Sequence, residues 1–327
     1  MRVLVVNAGS SSLKLSVLDG DDVVTASDED DLPTFVASID GVDAAGHRIV
    51  HGGPDFTEPV VVDDDVERKL RALTPLAPLH NPRGVQYLRD ARELLPDVPH
   101  VACFDTAFHA TLPDAARIYA LPKEWRDHWP VRRFGFHGLS HAYASRAAAE
   151  TVGRPIEDLR IVTAHLGAGA SLCAIRDGKS VDTTMGMTPL EGLVMATRAG
   201  SVDPGLVLWV QQFGRLELGH VQHALEEESG LKGLAGTGDM REILERRAQG
   251  DTAASLAFDV YVHRLRREIG AMTASLGSLD VLVFTGGVGE NAREVRDAAA
   301  GGFDAEVLVI EAREDLEIAR AVVSRAR

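Results

Sequence analysis

Residues 1–24, MRVLVVNAGSSSLKLSVLDGDDVV, carry the reading on which the fold turns. A strand of Val and Leu, Val3 to Val6, runs straight into the small-residue turn Asn7 to Ser12. A second strand resumes over Leu13 to Leu18, with Lys14 just past the turn. Such a turn is also what an ordinary hairpin uses, so the rest of the chain has to discriminate. It does so by an echo. TAHLGAGASLCAIRDGKSVD, starting at Thr163, repeats the order strand, small-residue turn, Ser-Leu, second strand, Asp-Gly. Asp19-Gly20 and Asp177-Gly178 suit hairpin turns, where positive φ is needed. Two similar hairpins about 160 residues apart indicate a duplicated domain.

A third glycine turn supports this. VLVFTGGVGEN, Val281 to Asn291, is a buried-type strand, then Thr285-Gly-Gly-Val-Gly289, then a helix carrying Glu290 and Asn291, a form suited to close backbone approach by a nucleotide. It is not a GxGxxG fingerprint, and no GxxxxGK[ST] is present, so dinucleotide-fold and P-loop readings lose their main support.

The bulk properties agree. A chain of 327 residues suggests two domains, with room for a cleft between them. With 45% hydrophobic and 25% charged residues it reads as a globular protein, and no apolar run is long enough to cross a bilayer. The N-terminus enters a strand without a cationic segment, apolar core and cleavage site, so the expected location is cytoplasmic. The two cysteines, Cys103 and Cys173, are too few and too far apart for a disulfide framework or a thiolate metal site. A net charge of −15 argues against a nucleic-acid partner. Strand-like runs at Ile161 to Ala164, Ser171 to Ile175 and Val281 to Phe284 alternate with helix-like stretches at Val66 to Leu73, Ser140 to Thr151 and Ala253 to Leu276, an α/β pattern.

Seven further motifs follow in order: GHRIVHGG (Gly46 to Gly53), APLHNP (Ala77 to Pro82), FDTAFH (Phe104 to His109), RRFGFHGLSH (Arg132 to His141), HLGAGAS (His165 to Ser171), MGMTPLEGLVMATRAGSVDP (Met185 to Pro204) and FTGGVGEN. With NAGSSSLK in front, they closely resemble the acetate kinase family, and the likeness runs from Asn7 to the last helix. The resemblance implies two duplicated ribonuclease-H-like, actin-like ATPase domains around a central cleft. They would be residues 1–107 plus 313–327 and residues 108–312, in a homodimer formed mainly by the second.

It implies reversible phosphoryl transfer from ATP to acetate, giving ADP and acetyl phosphate, in line and without a phosphoenzyme. Such chemistry asks mainly for positioning and electrostatics. By motif position Arg48 and Arg198 would hold the carboxylate and the transferring phosphoryl, for which the planar guanidinium is suited. His137 would donate to phosphoryl oxygens, and Asp105 would stand near metal and acetate. Asn7 and Glu314 would hold Mg²⁺, with Mn²⁺ as an alternative ion. Val50, Leu79, Phe136 and Pro189 would form the pocket for the acetate methyl. Lys14, His165, Gly167, Gly169, Asp239, Met240, Arg241, Gly287, Val288 and Asn291 would bind nucleotide, with Gly167 and Gly169 presenting backbone N–H groups to phosphate.

The chain departs from the family pattern in three places. HLGAGAS stands for HLGNGAS, so Ala168 replaces an amide that contacts phosphate. The GVSSDxR-like segment reads Gly236-Thr-Gly-Asp-Met-Arg241, and the chain is shorter between Asp19 and Gly46 and between Asn291 and Glu314. Three alternatives stay open: a kinase for propionate or another short carboxylate, a pyrophosphate-dependent acetate kinase, and a nucleotide-binding regulator without turnover.

Overall fold

The structure is a computed structural model that describes residues 1–9, 13–27 and 31–326. Ser10 to Ser12, the last three residues of the small-residue turn whose backbone N–H groups are expected to face phosphate oxygens, lie outside the described residues. Six strands form the first sheet: β1 (Arg2–Ala8), β2 (Leu13–Asp19), β3 (Asp22–Ser27), β4 (Ala44–Ile49), β5 (Val60–Val61) and β6 (His100–Phe104), in the order β3-β2-β1-β4-β6-β5. Five form the second: β7 (Arg160–Leu166), β8 (Ala170–Arg176), β9 (Lys179–Thr183), β10 (Val281–Thr285) and β11 (Glu306–Val309), in the order β9-β8-β7-β10-β11.

The duplication is real in three dimensions. In each sheet an antiparallel meander, β3-β2-β1 or β9-β8-β7, continues through two successive parallel pairings, β1-β4-β6 in one and β7-β10-β11 in the other. Even the irregularities match. The outer pairs slip register at Val17/Leu18 and at Ala174/Ile175, and Leu18 and Ile175 each face the second residue of the neighbouring strand, Val3 and Ile161. The first turn is displaced from its expected place: Asp19 ends β2 and the turn is Gly20-Asp21, whereas Asp177-Gly178 turns as expected with φ of 55° and 69°. Asp19, Asp21 and Asp22, set around Gly20, made the register ambiguous in sequence.

Both central strands are covered on both faces, which is why they lack polar alternation. Val3 and Val5 pack with Leu316, Ile318, Ala319 and Val322 of the terminal helix Glu314–Arg325, while Leu4, Val6 and Ala8 pack with Leu32 and Phe35 on the opposite side. Gly46 on β4 permits this close approach, because a Cβ there would sit 2.5 Å from Ile318 Cγ2 and 2.7 Å from Val322 Cγ2. In the second sheet, Val162, Ala164 and Leu166 face the helix Thr252–Leu276, which buries Ala254, Phe258, Tyr261, Leu265, Ile269 and Met272 along one side. Asp251 caps that helix by accepting from the amides of Ala253 and Ala254, and Gly277 ends it at φ 83°. The opposite face carries the helix Gly138–Val152 through Ala144, Ala148 and Ala149. This helix also packs on the terminal helix, with an Arg146–Glu317 ion pair between them, so the two sheets are joined side by side. Among the described residues no helix is long and apolar enough to cross a membrane.

Candidate active site

The carboxyl ends of β1, β4, β6, β7 and β10 all open on one cleft of about 690 Å³, the general location of ligands in open parallel sheets. β4 brings Arg48 there, and Asp105 follows β6. Arg48 Nε and Nη2 donate to the two carboxylate oxygens of Asp105 at 2.9 and 2.6 Å, a bidentate pair. Arg48 Nη1 donates to Asn7 Oδ1 at 3.2 Å, and Asn7 Nδ2 donates to Glu314 Oε2 at 2.9 Å. Arg48 Nη1 also lies 3.7 Å from Glu314 Oε2. Four residues from four distant segments therefore form one polar cluster.

The two carboxylates differ in tuning. Burial lifts the Asp105 carboxyl against the opposing pull of Arg48. At Glu314 burial acts in the same sense, but Arg48, His165, Asn7 and Lys14 outweigh it and hold the group below its ordinary value. Glu314 is thus a carboxylate at neutral pH. Its contacts to Asn7 and Arg48 both fall on Oε2, leaving Oε1 for a hard cation that needs only one or two protein oxygens. Among the described residues no group of three or more His, Cys, Asp and Glu is placed to hold a metal ion.

Opposite this cluster stand His137, His165 and Arg198. His137 takes the left-handed conformation, φ 56° and ψ 25°, immediately before the helix Gly138–Val152. Gly138 N donates to Asp105 O at 2.9 Å, and a Cβ on Gly138 would collide with that oxygen, so the glycine couples the histidine loop to the Asp105 segment. The rings of His137 and His165 stack with centroids 4.4 Å apart. His137 Nε2 and Arg198 Nη1 lie 3.3 and 3.4 Å from the point where a Cβ on Gly169 would be, so both reach the same glycine. Burial, reinforced by His165 and Arg48, holds His137 well below the usual imidazole value, so it is neutral at pH 7. Arg198 has Met195 Sδ at 3.9 Å and no carboxylate within ion-pair distance among the described residues. A half-buried guanidinium with no described carboxylate in ion-pair range, beside an open cleft, is ready for an anion.

Val50, Phe136 and Pro189 add an apolar wall to the same cleft. Leu79 does not: it is 53% exposed, and its neighbour His80 lines the cleft instead. Burial, with Arg198 and Arg48 adding to it, lowers His80 to about 4. His80 was visible in APLHNP, but nothing in the motif distinguishes it from Leu79. Of the expected nucleotide positions, Lys14, His165, Gly169 and Gly287 line the cleft, together with Ala168. Gly167, Asp239, Met240, Arg241, Val288 and Asn291 do not.

Several of these have local tasks. Gly167 N donates to Gly169 O at 2.9 Å across the tight turn, so the amide expected to face phosphate is already used. Met240 opens a helix and is 3% exposed in the second core, so its side chain has no access to a ligand. Asp239 caps that helix and pairs with Arg241 at 2.7 Å, Val288 packs on the core, and Asn291 Nδ2 donates to Gly287 O at 2.9 Å. Segment 236–241 still borders the site, since Gly238 packs on Ala196, whose amide donates to Ala168 O at 3.1 Å. Glu290 was unassigned in sequence. Its Oε1 accepts from the amides of Gly286 and Ala312 at 2.8 and 3.0 Å and ties the glycine turn to the Glu314 segment.

Comparison with known proteins agrees with this arrangement. The family model described as the acetokinase family matches residues 29–325. An acetate kinase from Streptomyces avermitilis is 52% identical over 268 residues, covering 82% of this chain and 66% of that protein's length. The crystal structure of Porphyromonas gingivalis acetate kinase superposes with a TM-score of 0.91 at 34% identity, over 100% of both chains. That of a propionate kinase from Francisella tularensis gives 0.91 at 32%, over 98% of both. With its duplicated sheets, its paired arginines in one cleft and these relatives, the chain belongs to the acetokinase family.

Proposed function

We propose that the protein is an acetate kinase, transferring the γ-phosphoryl of ATP to acetate in a reversible, Mg²⁺-dependent, in-line reaction. The observation that carries this reading is the cleft itself: two guanidiniums, one pinned by Asp105 and one without a counterion, beside the apolar wall of Val50, Phe136 and Pro189. Acetate would set its methyl on that wall and its carboxylate between the arginines. An acetate oxygen then forms the new O–P bond as the bond from phosphorus to the ADP oxygen breaks. Charge spread over the equatorial oxygens is met by Arg198 and by His137, whose neutral ring can donate without adding a proton to the reaction. Asp105 orients Arg48. Mg²⁺, held by Glu314 and Asn7, would supply positive charge to the phosphates, a need made plain by the five carboxylates against four cations along the cleft.

Lys14, His165, Gly169 and Gly287 would border the phosphates, with Asp239 and Arg241 toward the nucleoside. The domain limits follow as residues 1–107 plus 313–327 and 108–312, supported by the packing of the terminal helix on β1 and β4. Leu208, Trp209, Phe213 and Leu218 are exposed together on the second domain, which supports a homodimer through that surface. Both cysteines are free and buried, in keeping with a cytoplasmic enzyme. Ala168 favours a second reading for the donor, pyrophosphate in place of ATP, because the turn lacks a side-chain amide. The likeness to a propionate kinase makes propionate the natural second acceptor.

The test is hydroxylamine trapping of acyl phosphate by purified protein with Mg²⁺, acetate or propionate, and ATP, GTP or pyrophosphate. Product with ATP and acetate is expected, and absence of product with every pair would overturn the kinase reading. Arg198→Ala should lower turnover by orders of magnitude with the fold intact; near-normal activity would remove Arg198 from the site.

A further inference from the structure

Behind His137, away from the cleft, lies a row of buried polar groups that the transfer chemistry does not itself use. Thr163 Oγ1 is 2.7 Å from His141 Nδ1, His141 Nε2 is 2.8 Å from Ser171 Oγ, and Ser171 Oγ is 2.9 Å from His137 Nδ1. Thr163, His141 and Ser171 have no more than 1% of their surface exposed, so bulk solvent does not reach their hydrogen-bonding atoms. We propose that Thr163, His141 and Ser171 form a directed hydrogen-bond chain that fixes His137 as the Nε2–H tautomer, its donor facing the cleft beside Arg198.

The direction follows from counting donors and acceptors. If Thr163 donates its hydroxyl proton to His141 Nδ1, then His141 carries its proton on Nε2 and donates to Ser171. Ser171 in turn donates to His137 Nδ1, and His137 carries its proton on Nε2. Every buried proton then has an acceptor, and the one donor left over is in the cleft. Reversal sends His137 Nδ1–H to Ser171, Ser171 to His141 Nε2, and His141 Nδ1–H to Thr163. The Thr163 hydroxyl would then need a further acceptor, and no other partner is described for it. A third arrangement, in which both rings donate to Ser171, leaves the serine proton without an acceptor. Burying an unmet donor is costly, so the forward direction wins. Burial also holds His141 well below the ordinary imidazole value, with His109 and His165 adding to it, so both rings of the chain are neutral and the count applies.

The three residues are positioning residues: they touch no reacting atom and act through His137. The kinetic consequence rests on the reading of His137 as a donor to the phosphoryl group, whereas the tautomer does not. Holding an imidazole in the wrong tautomer removes its donor while leaving its shape, which is a turnover defect more than a binding defect.

The experiment uses the full chain labelled with ¹⁵N-histidine, in which long-range ¹H–¹⁵N correlations report which ring nitrogen carries the proton. His137→Gln identifies the His137 signals by their loss. In the parent, His137 and His141 should both be Nε2–H. Ser171→Ala should leave His137 Nδ1 without its donor, moving that nitrogen's signal toward the value of an unbonded imidazole nitrogen, and by freeing the ring should lower kcat by up to roughly a hundredfold, with KM for acetate and donor changed less than about threefold. Thr163→Val should move the His141 Nδ1 signal in the same way, and Thr163→Ser, which keeps the hydroxyl, should restore the parent spectrum. An Nδ1–H His137 in the parent, or an unchanged His137 spectrum in Ser171→Ala, would overturn the proposal. If Thr163→Val does not fold, the parent and Ser171→Ala spectra decide alone. Expected tautomers in a parent that phosphorylates no carboxylate would sink the kinase reading and leave the chain standing.

Discussion

Ala168→Asn tests the donor assignment most directly. Ala168 is exposed at the tip of the turn between β7 and β8, lines the cleft, and has its carbonyl fixed by Ala196 N at 3.1 Å. The amide of Gly167 is tied to Gly169 O at 2.9 Å, so this turn offers phosphate fewer backbone donors than its glycines suggest. An asparagine there would add one neutral donor to a charged acceptor. Such a bond contributes about 1.5 to 3 kcal/mol when buried, and an exposed turn takes the lower end. About 1.5 kcal/mol corresponds to roughly a tenfold gain in kcat/KM for ATP, within limits of a fewfold and a hundredfold. Steady-state kinetics of parent and variant with ATP, GTP and pyrophosphate measure it, with a melting curve to show that the exposed substitution leaves stability unchanged. If kcat/KM for ATP does not rise, and pyrophosphate already serves the parent well, the reasoning about a missing phosphate donor fails and the donor is pyrophosphate.

Val50→Ala should move the propionate-to-acetate ratio of kcat/KM upward by about five- to a hundredfold, since one methylene in a pocket is worth about 1 to 3 kcal/mol; an unchanged ratio would make Val50 plain core. Gly46→Ala should destabilise by about 1 to 3 kcal/mol, because its Cβ would meet Ile318 and Val322 at 2.5 and 2.7 Å, and should depress activity as well, since the displaced helix begins with Glu314; an unshifted melting curve would refute the packing. Acid should weaken the fold through His51, His80 and His109, each lowered to about 4, chiefly by burial. Between about pH 6.5 and about pH 4 the unfolded chain binds these protons and the native one does not, so stability falls as pH drops through that window. Denaturant midpoints flat from pH 7 to 4.5 would contradict it.

What the sequence determined by itself is local or repeated. The echo between residues 5–24 and 163–182 specified two copies of one hairpin, and the structure matches them down to the register slip at Leu18 and Ile175. The apolar runs of β1, β7 and β10 declared buried strands, and the Asp251 and Gly277 signals bracket the long helix. Arg48, Asp105, His137 and Arg198 stood out only because their motifs, taken in order, resemble those of the acetokinase family. Tertiary structure alone decided which of these meet. Asn7 and Glu314, 307 positions apart, are brought within 2.9 Å because the terminal helix docks on β1 and β4, and Gly46 is what lets it come so close. It also decided what drops out. Met240 is a core residue because the amphipathic phase of its helix turns it inward, and Leu79 yields to His80 because one step along a turn reverses which side chain faces the cleft. The Gly167 amide is consumed within its own turn, and Ser171 and His141 become partners of His137 only once β8 lies behind the helix Gly138–Val152. Periodicity and turn chemistry report a residue's relation to its near neighbours in the chain, whereas a hydrogen bond's partner depends on how separate elements pack, and no local pattern carries that information.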